Sequence, residues 1–126
     1  MTQHPMPNAN SMAEKWKKIE GFFQDNFTDG ELPDLDTMLF LIGVQELGQG
    51  KRRFKKDEKI NLLHIAVCRV LEPFGYYRFD GLDKDGWPHF ELIEELPELK
   101  TNEQTLLMKQ AIIQYFVDQN ILNFDA

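Results

Sequence analysis

Asp57-Glu58-Lys59-Ile60-Asn61-Leu62-Leu63-His64-Ile65-Ala66-Val67-Cys68-Arg69-Val70-Leu71, followed by Glu72-Pro73-Phe74-Gly75, is the stretch on which the fold turns. Ile60, Leu62, Leu63, Ile65, Ala66, Val67, Cys68, Val70 and Leu71 leave almost no polar face. An apolar run of this length reads as a helix rather than a strand. A helix apolar nearly all round belongs at the centre of a domain, where other elements cover it. Asp57 is suited to cap its start, and Pro73 ends it by disfavouring helical geometry at Glu72.

Two helices precede it. From Ser11 to Phe27, Met12, Trp16, Ile19, Phe23 and Phe27 recur at helical spacing, with Lys15, Lys17, Lys18, Glu20 and Gln24 largely opposite. Ser11 is the expected cap, and Asp29-Gly30 the break. Leu35 to Leu47 follows, with Asp34 as cap, Asp36 near the positive end of the helix dipole, and Gly48 in the left-handed position that closes a helix. Residues 1–10 read as a flexible polar tail. They lack the basic and apolar blocks of a signal peptide.

Beyond the central helix, Tyr76 to Asp80 and Trp87 to Ile93 flank a turn containing Asp85-Gly86, which predicts a β-hairpin. Pairing Phe79 with Pro88 or Leu92 sets Tyr77, Phe79, Phe90 and Leu92 on one face. Tyr76, Arg78, Trp87, His89 and Glu91 then share the other. Pro88 cannot donate to a ladder and marks an edge strand. The last helix starts at Thr101, the expected cap, with Gln104 as its capping-box partner. Its apolar positions cover so much of the circumference that it must either thread the core or face a second subunit. Ile121-Leu122-Asn123-Phe124 stays apolar and is expected to pack. The reading is α+β, mainly α: a single domain over residues 11–126, with about four helices and one antiparallel hairpin between helices 3 and 4.

At 126 residues with 42% hydrophobic content, the chain has room for one core and needs no metal or disulfide to hold it. Cys68 is the only cysteine, so no intramolecular disulfide can form and a reducing cytoplasm is expected. The longest apolar run, Met38 to Val44, falls far short of the roughly 20 residues that cross a bilayer. A net charge of −7 disfavours general binding to nucleic acid.

Charge is unevenly placed. Residues 48–59 carry Lys51, Arg52, Arg53, Lys55, Lys56 and Lys59 against Asp57 and Glu58, a local +4 in a chain whose remainder is −11. From Asp80 to Gln104, acids dominate to −6. Lys51, Arg52, Arg53, Lys55 and Lys56 are candidates for an anion-binding loop, in which Gly48 and Gly50 free the backbone and Phe54 offers a ring. Cations after a helix C-terminus also simply offset its dipole. Opposite charges can equally pair within the fold or across a dimer. The loop is not a Walker A motif, because Arg52 stands where Ser or Thr would bind magnesium and Gln45 where the first Gly is needed.

The polar hairpin face, with Arg78, His89 and Glu91 between Tyr76 and Trp87, is the candidate pocket lining for an enzyme; a solvated hairpin face has the same composition. His64 and Cys68 share one helical face but are only two ligands, without HExxH or CxxC, so neither metal nor cofactor is expected. Asp80, Asp83 and Asp85 lack the Glu and Gly offsets of an EF-hand. No catalytic motif emerges.

Gln45-Glu46-Leu47-Gly48-Gln49-Gly50-Lys51-Arg52, His64-Ile65-Ala66-Val67-Cys68-Arg69 and Gly75-Tyr76-Tyr77 resemble a small family of uncharacterised bacterial proteins, a likeness that implies no activity. Helices followed by a hairpin also resemble winged-helix domains, with Tyr76 to Ile93 as the wing, although the would-be recognition helix lacks a basic face. The leading expectation is a small cytoplasmic, non-enzymatic interaction module that binds a protein partner or self-associates as a homodimer through helix 4 or opposite charges. The alternative is a winged-helix-like binder of nucleic acid or a phosphorylated ligand through residues 51–56.

Overall fold

In the computed structural model, which describes residues 9–50 and 52–124, the chain runs α1 (Ala9–Asn26), α2 (Leu35–Leu47), α3 (Lys56–Leu71), a 3-10 turn (Glu72–Phe74), β1 (Tyr77–Leu82), β2 (Pro88–Leu92) and α4 (Thr101–Asp118). The architecture is α+β and mainly helical, with the hairpin between the third and fourth helices as expected. Residues 1–8 of the expected tail lie outside the described residues. Ala9 and Asn10 belong to α1, which puts Ser11 inside the first turn and removes it from the cap position. Ala9 is a strong helix former, which favours the earlier start.

Helix ends follow local chemistry. The Asp34 carboxylate accepts the Thr37 N–H at 2.8 Å, and Gly48 takes φ 71 while its N–H donates to the Val44 carbonyl. At α3 and α4 the cap lies upstream of its expected place, by two residues at Lys55 and by one at Lys100. The Glu58 carboxylate accepts the Lys55 N–H at 2.8 Å, and the Glu103 carboxylate accepts the Lys100 N–H at 3.0 Å. In both helices an acid at the third position satisfies the orphan N–H, so Asp57 and Thr101 sit within the helix. Gln104 donates instead to the Leu99 carbonyl at 2.9 Å. After α4, Asn120 at φ 54 turns the chain, and Ile121, Leu122 and Phe124 pack against the core.

The core gathers Ile19 and Phe23 from α1, Met38, Leu39 and Ile42 from α2, Ala66, Val70 and Leu71 from α3, and Ala111, Ile112, Ile113, Tyr115 and Phe116 from α4. Phe116 meets Phe22 and Phe23 edge-on, with centroids 5.5 and 5.7 Å apart. Helix α4 therefore takes the first of its two expected routes and threads the core. α3 is less enclosed than its composition implied: Leu62, Ile65, Ala66, Cys68, Val70 and Leu71 are buried, but Ile60 is 59% exposed and His64 also faces out.

In the hairpin Phe79 pairs with Phe90, not with Pro88 or Leu92 as expected, Arg78 pairs with Glu91 and Tyr77 with Leu92; the offset is even, so the two faces still divide as expected. The ladder then slips at Asp80, placing Gly81 opposite His89 and Leu82 opposite Pro88. This bulge absorbs one residue without changing which side chains of β2 face α3.

The tightest helix contact is between α2 and α3. A Cβ built on Gly43 would fall 2.3 Å from the Leu62 carbonyl oxygen, so only glycine lets the two backbones approach this closely. We predict that Gly43→Ala lowers stability by at least about 2 kcal/mol, because the neighbour is backbone and cannot rotate away. Gly21→Ala in α1, where an added methyl meets nothing within 4 Å, should raise it by about 0.5–1 kcal/mol. Urea midpoints of the two variants should move in opposite directions.

Candidate functional site

Arg69, the one charged side chain in the apolar second half of α3, draws the polar groups of the neighbouring elements together. Its Nε donates to Glu46 of α2 at 2.6 Å, and a terminal nitrogen donates to Glu72 of the 3-10 turn at 2.6 Å. The guanidinium lies 5.1 Å from the Phe79 ring centroid and 4.9 Å from that of Phe90, stacking beneath both hairpin strands. Glu72 uses its other oxygen to accept the Phe79 N–H at 2.8 Å. Glu46 likewise accepts the Tyr115 hydroxyl from α4 at 2.7 Å, and Gln45 donates to that hydroxyl at 3.4 Å.

Glu46, Arg69, Glu72 and Tyr115 line a groove of about 430 Å³. Both carboxylates are engaged at both oxygens by protein donors. Burial works against the Arg69 charge, but the hydrogen bonds and charges of Glu46 and Glu72 outweigh it and hold the guanidinium above its ordinary pKa. Burial also pushes the Tyr115 hydroxyl well above the usual tyrosine range, and the adjacent Glu46 carboxylate adds to this.

A second concavity, about 200 Å³, opens between α3 and β2. It is lined by Asn61, His64 and Ile65 on one side and Asp83, Trp87, Pro88, His89 and Phe90 on the other. The Trp87 carbonyl accepts from Asp83 N–H and the Ile93 N–H donates to the Tyr76 carbonyl, so odd-numbered residues of this strand point toward β1. The N–H groups of Phe90 and Leu92 therefore point outward, where no third strand lies among the described residues. The outer edge of β1 differs, because Glu72 occupies it at Phe79.

The expected hairpin pocket is divided. Arg78 and Glu91 form an exposed cross-strand ion pair, and Tyr76 packs against the core. Trp87 and His89 join the β2 groove instead. His89 Nε2 sits 2.9 Å from the Asp83 carboxylate, which also accepts the N–H groups of Asp85 and Trp87. The histidine contact and these N–H donors hold Asp83 below the ordinary carboxylate range.

In the basic loop, Lys51 lies outside the described residues. Arg52 is occupied, paired with Glu58 at 3.2 Å and stacked 4.3 Å from the Phe54 ring, which in turn meets Phe40. Arg53, Lys55 and Lys56 are exposed. The loop lies beside the acidic hairpin turn, where Gln49 donates to the Asp85 carbonyl at 3.2 Å. No ion pair joins the two among the described residues.

His64 and Cys68 stand side by side with Nε2 and Sγ 3.5 Å apart. Cys68 is fully buried, and burial pushes its thiol up to about 11. Among the described residues no group of three His, Cys, Asp or Glu is placed to hold a metal ion, and no helix is long and apolar enough to cross a membrane. The Arg69 network escaped sequence reading, because Glu46 and Tyr115 lie far from Arg69 along the chain. The signal that was present is a lone arginine in an apolar helical run.

We predict that Arg69→Leu destabilises the fold by about 1–3 kcal/mol, since it strands two partly buried carboxylates. Tyr115→Phe should cost about 1 kcal/mol at neutral pH. With the folded hydroxyl raised, the unfolded chain loses its tyrosine proton first, so native stability falls as pH rises past about 10. Urea titrations at successive alkaline pH values should show a shallower fall in Tyr115→Phe than in the native chain. Comparison with family models, curated proteins and solved structures returns no match, so neither the uncharacterised bacterial family nor the winged-helix class gains support, and function must be argued from this geometry.

Proposed function

We propose that the chain is a small cytoplasmic, non-enzymatic interaction module that binds a protein partner through the outer edge of β2. The observation that carries this reading is the pair of outward N–H groups at Phe90 and Leu92, with Phe90 lining the α3 groove and Leu92 49% and Ile93 51% exposed. An uncovered strand edge with apolar neighbours is a ready template for another extended segment. The engaged carboxylates of the Arg69 groove favour a structural role there, because a general acid or base needs a free position facing substrate. The lone buried Cys68 suits a reducing compartment.

The exposed, unbridged Arg53, Lys55 and Lys56 favour a second reading, a winged-helix-like binder of nucleic acid or a phosphorylated ligand. Against it stands the acidic hairpin turn beside the loop, which repels phosphate.

A photo-reactive amino acid at Leu92, irradiated in cells expressing the protein, should yield a discrete protein adduct. The same probe at Glu14, on the exposed side of α1, should not. Equal labelling at both sites, or no adduct at Leu92, overturns the reading. A single-stranded oligonucleotide should fail to bind at physiological salt. Binding whose logarithm falls with log salt at about −0.7 per phosphate contacted, and that vanishes when Arg53, Lys55 and Lys56 become glutamine, would transfer the function to the loop.

A further inference from the structure

Building on that proposed edge, we infer that the segment it receives is β2 of a second copy of this chain, paired antiparallel about a two-fold axis through Phe90. A two-fold axis through a strand pairs residues symmetrically about its centre. With the axis at Phe90, Glu91 faces His89 of the second copy, Leu92 faces Pro88 and Ile93 faces Trp87. On one face Glu91, which also pairs with Arg78, meets His89, which also contacts Asp83, and Ile93 meets Trp87; on the other face Leu92 meets Pro88.

Neighbouring centres are worse. An axis at Glu91 sets two glutamates against each other, and one at His89 sets histidine on histidine. An axis at Leu92 puts Glu91 against Ile93, and one at Pro88 centres the pairing on a residue with no N–H to give.

Hydrogen bonding is satisfied at the same centre. The outward set contains Pro88, Phe90 and Leu92, fixed by the bonds at Trp87 and Ile93. With the axis at Phe90, each Phe90 N–H donates to the Phe90 carbonyl of the other copy. Each Leu92 N–H donates to the opposite Pro88 carbonyl. Every outward N–H of the strand is used. The two hairpins then form one continuous four-stranded sheet, which answers the marginal stability of a two-stranded one. The ladder is short, so the dimer should be concentration-dependent rather than permanent.

Sedimentation equilibrium from about 1 μM to about 1 mM is the first test, with the mass expected to rise from 14.8 kDa toward twice that value. Leu92→Pro removes one outward N–H without touching the ladder to β1 and should shift the midpoint to at least tenfold higher concentration. Its far-UV circular dichroism should stay native. The second test fixes the register. Phe90→Cys places thiols across the axis, where paired Cα atoms are about 5.5 Å apart and a disulfide closes readily on oxidation. Leu92→Cys leaves them too far apart and should not cross-link.

A strict monomer throughout the range overturns the inference. So does a dimer that cross-links through Leu92→Cys and not Phe90→Cys. In either case, a photo-adduct at Leu92 containing a different protein leaves the interaction-module reading standing, whereas no adduct at all removes both.

Discussion

Arg69 is held by a carboxylate on each side and an aromatic ring from each hairpin strand. Every other element except α1 reaches it directly or through one hydrogen bond. Glu46 anchors α2, Glu72 fixes the turn that redirects the chain, and Tyr115 ties in α4 through Glu46. A charge in this partly dry setting is tolerable only because its donors are matched. The network thus specifies one relative placement of helices and hairpin, where apolar packing alone would accept several.

The same placement decides which surface is left over. A two-stranded sheet cannot stand alone in water and must lean on α3. Leaning there puts Phe79 and Phe90 over Arg69 and seals the edge of β1 with Glu72. No strand pairs with the outer edge of β2 among the described residues; Pro88 at its start is buried, and Leu92 at its end is exposed. Helix α4, in contrast, places its apolar residues in the core and has little left for a second subunit: Leu106 and Val117 are exposed, but Ala111, Ile112, Ile113, Tyr115 and Phe116 are buried.

Much of this fold was legible where the determinant is local. Asp34 and Gly48 bound α2 as their chemistry dictates, and the parity of the hairpin holds although Phe79 pairs with Phe90 and not with Pro88 or Leu92, because faces depend only on odd or even offsets. The caps of α3 and α4 lie two residues and one residue before Asp57 and Thr101, both familiar capping types, because the acids at Glu58 and Glu103 reach back to Lys55 and Lys100. Long-range facts were not legible. The exposure of His64 depends on where the hairpin ends, and the pairing of Arg69 with Glu46 depends on how α2 crosses α3. The polar hairpin residues were assigned to one pocket, but a strand pair in contact with a helix divides them between solvent and groove.

The contact of Gly43 with the Leu62 backbone has a mechanical side. With no side chain between them, α2 and α3 have no cushion along which to slide, and they move as one lever. The basic loop joins the ends of that lever, so both of its anchors belong to a single rigid piece. A load applied at the loop cannot be relayed by spreading the helices. What the loop does not absorb passes in part across the Gln49 contact to the hairpin turn, an amide that joins the positive end of the molecule to its negative one.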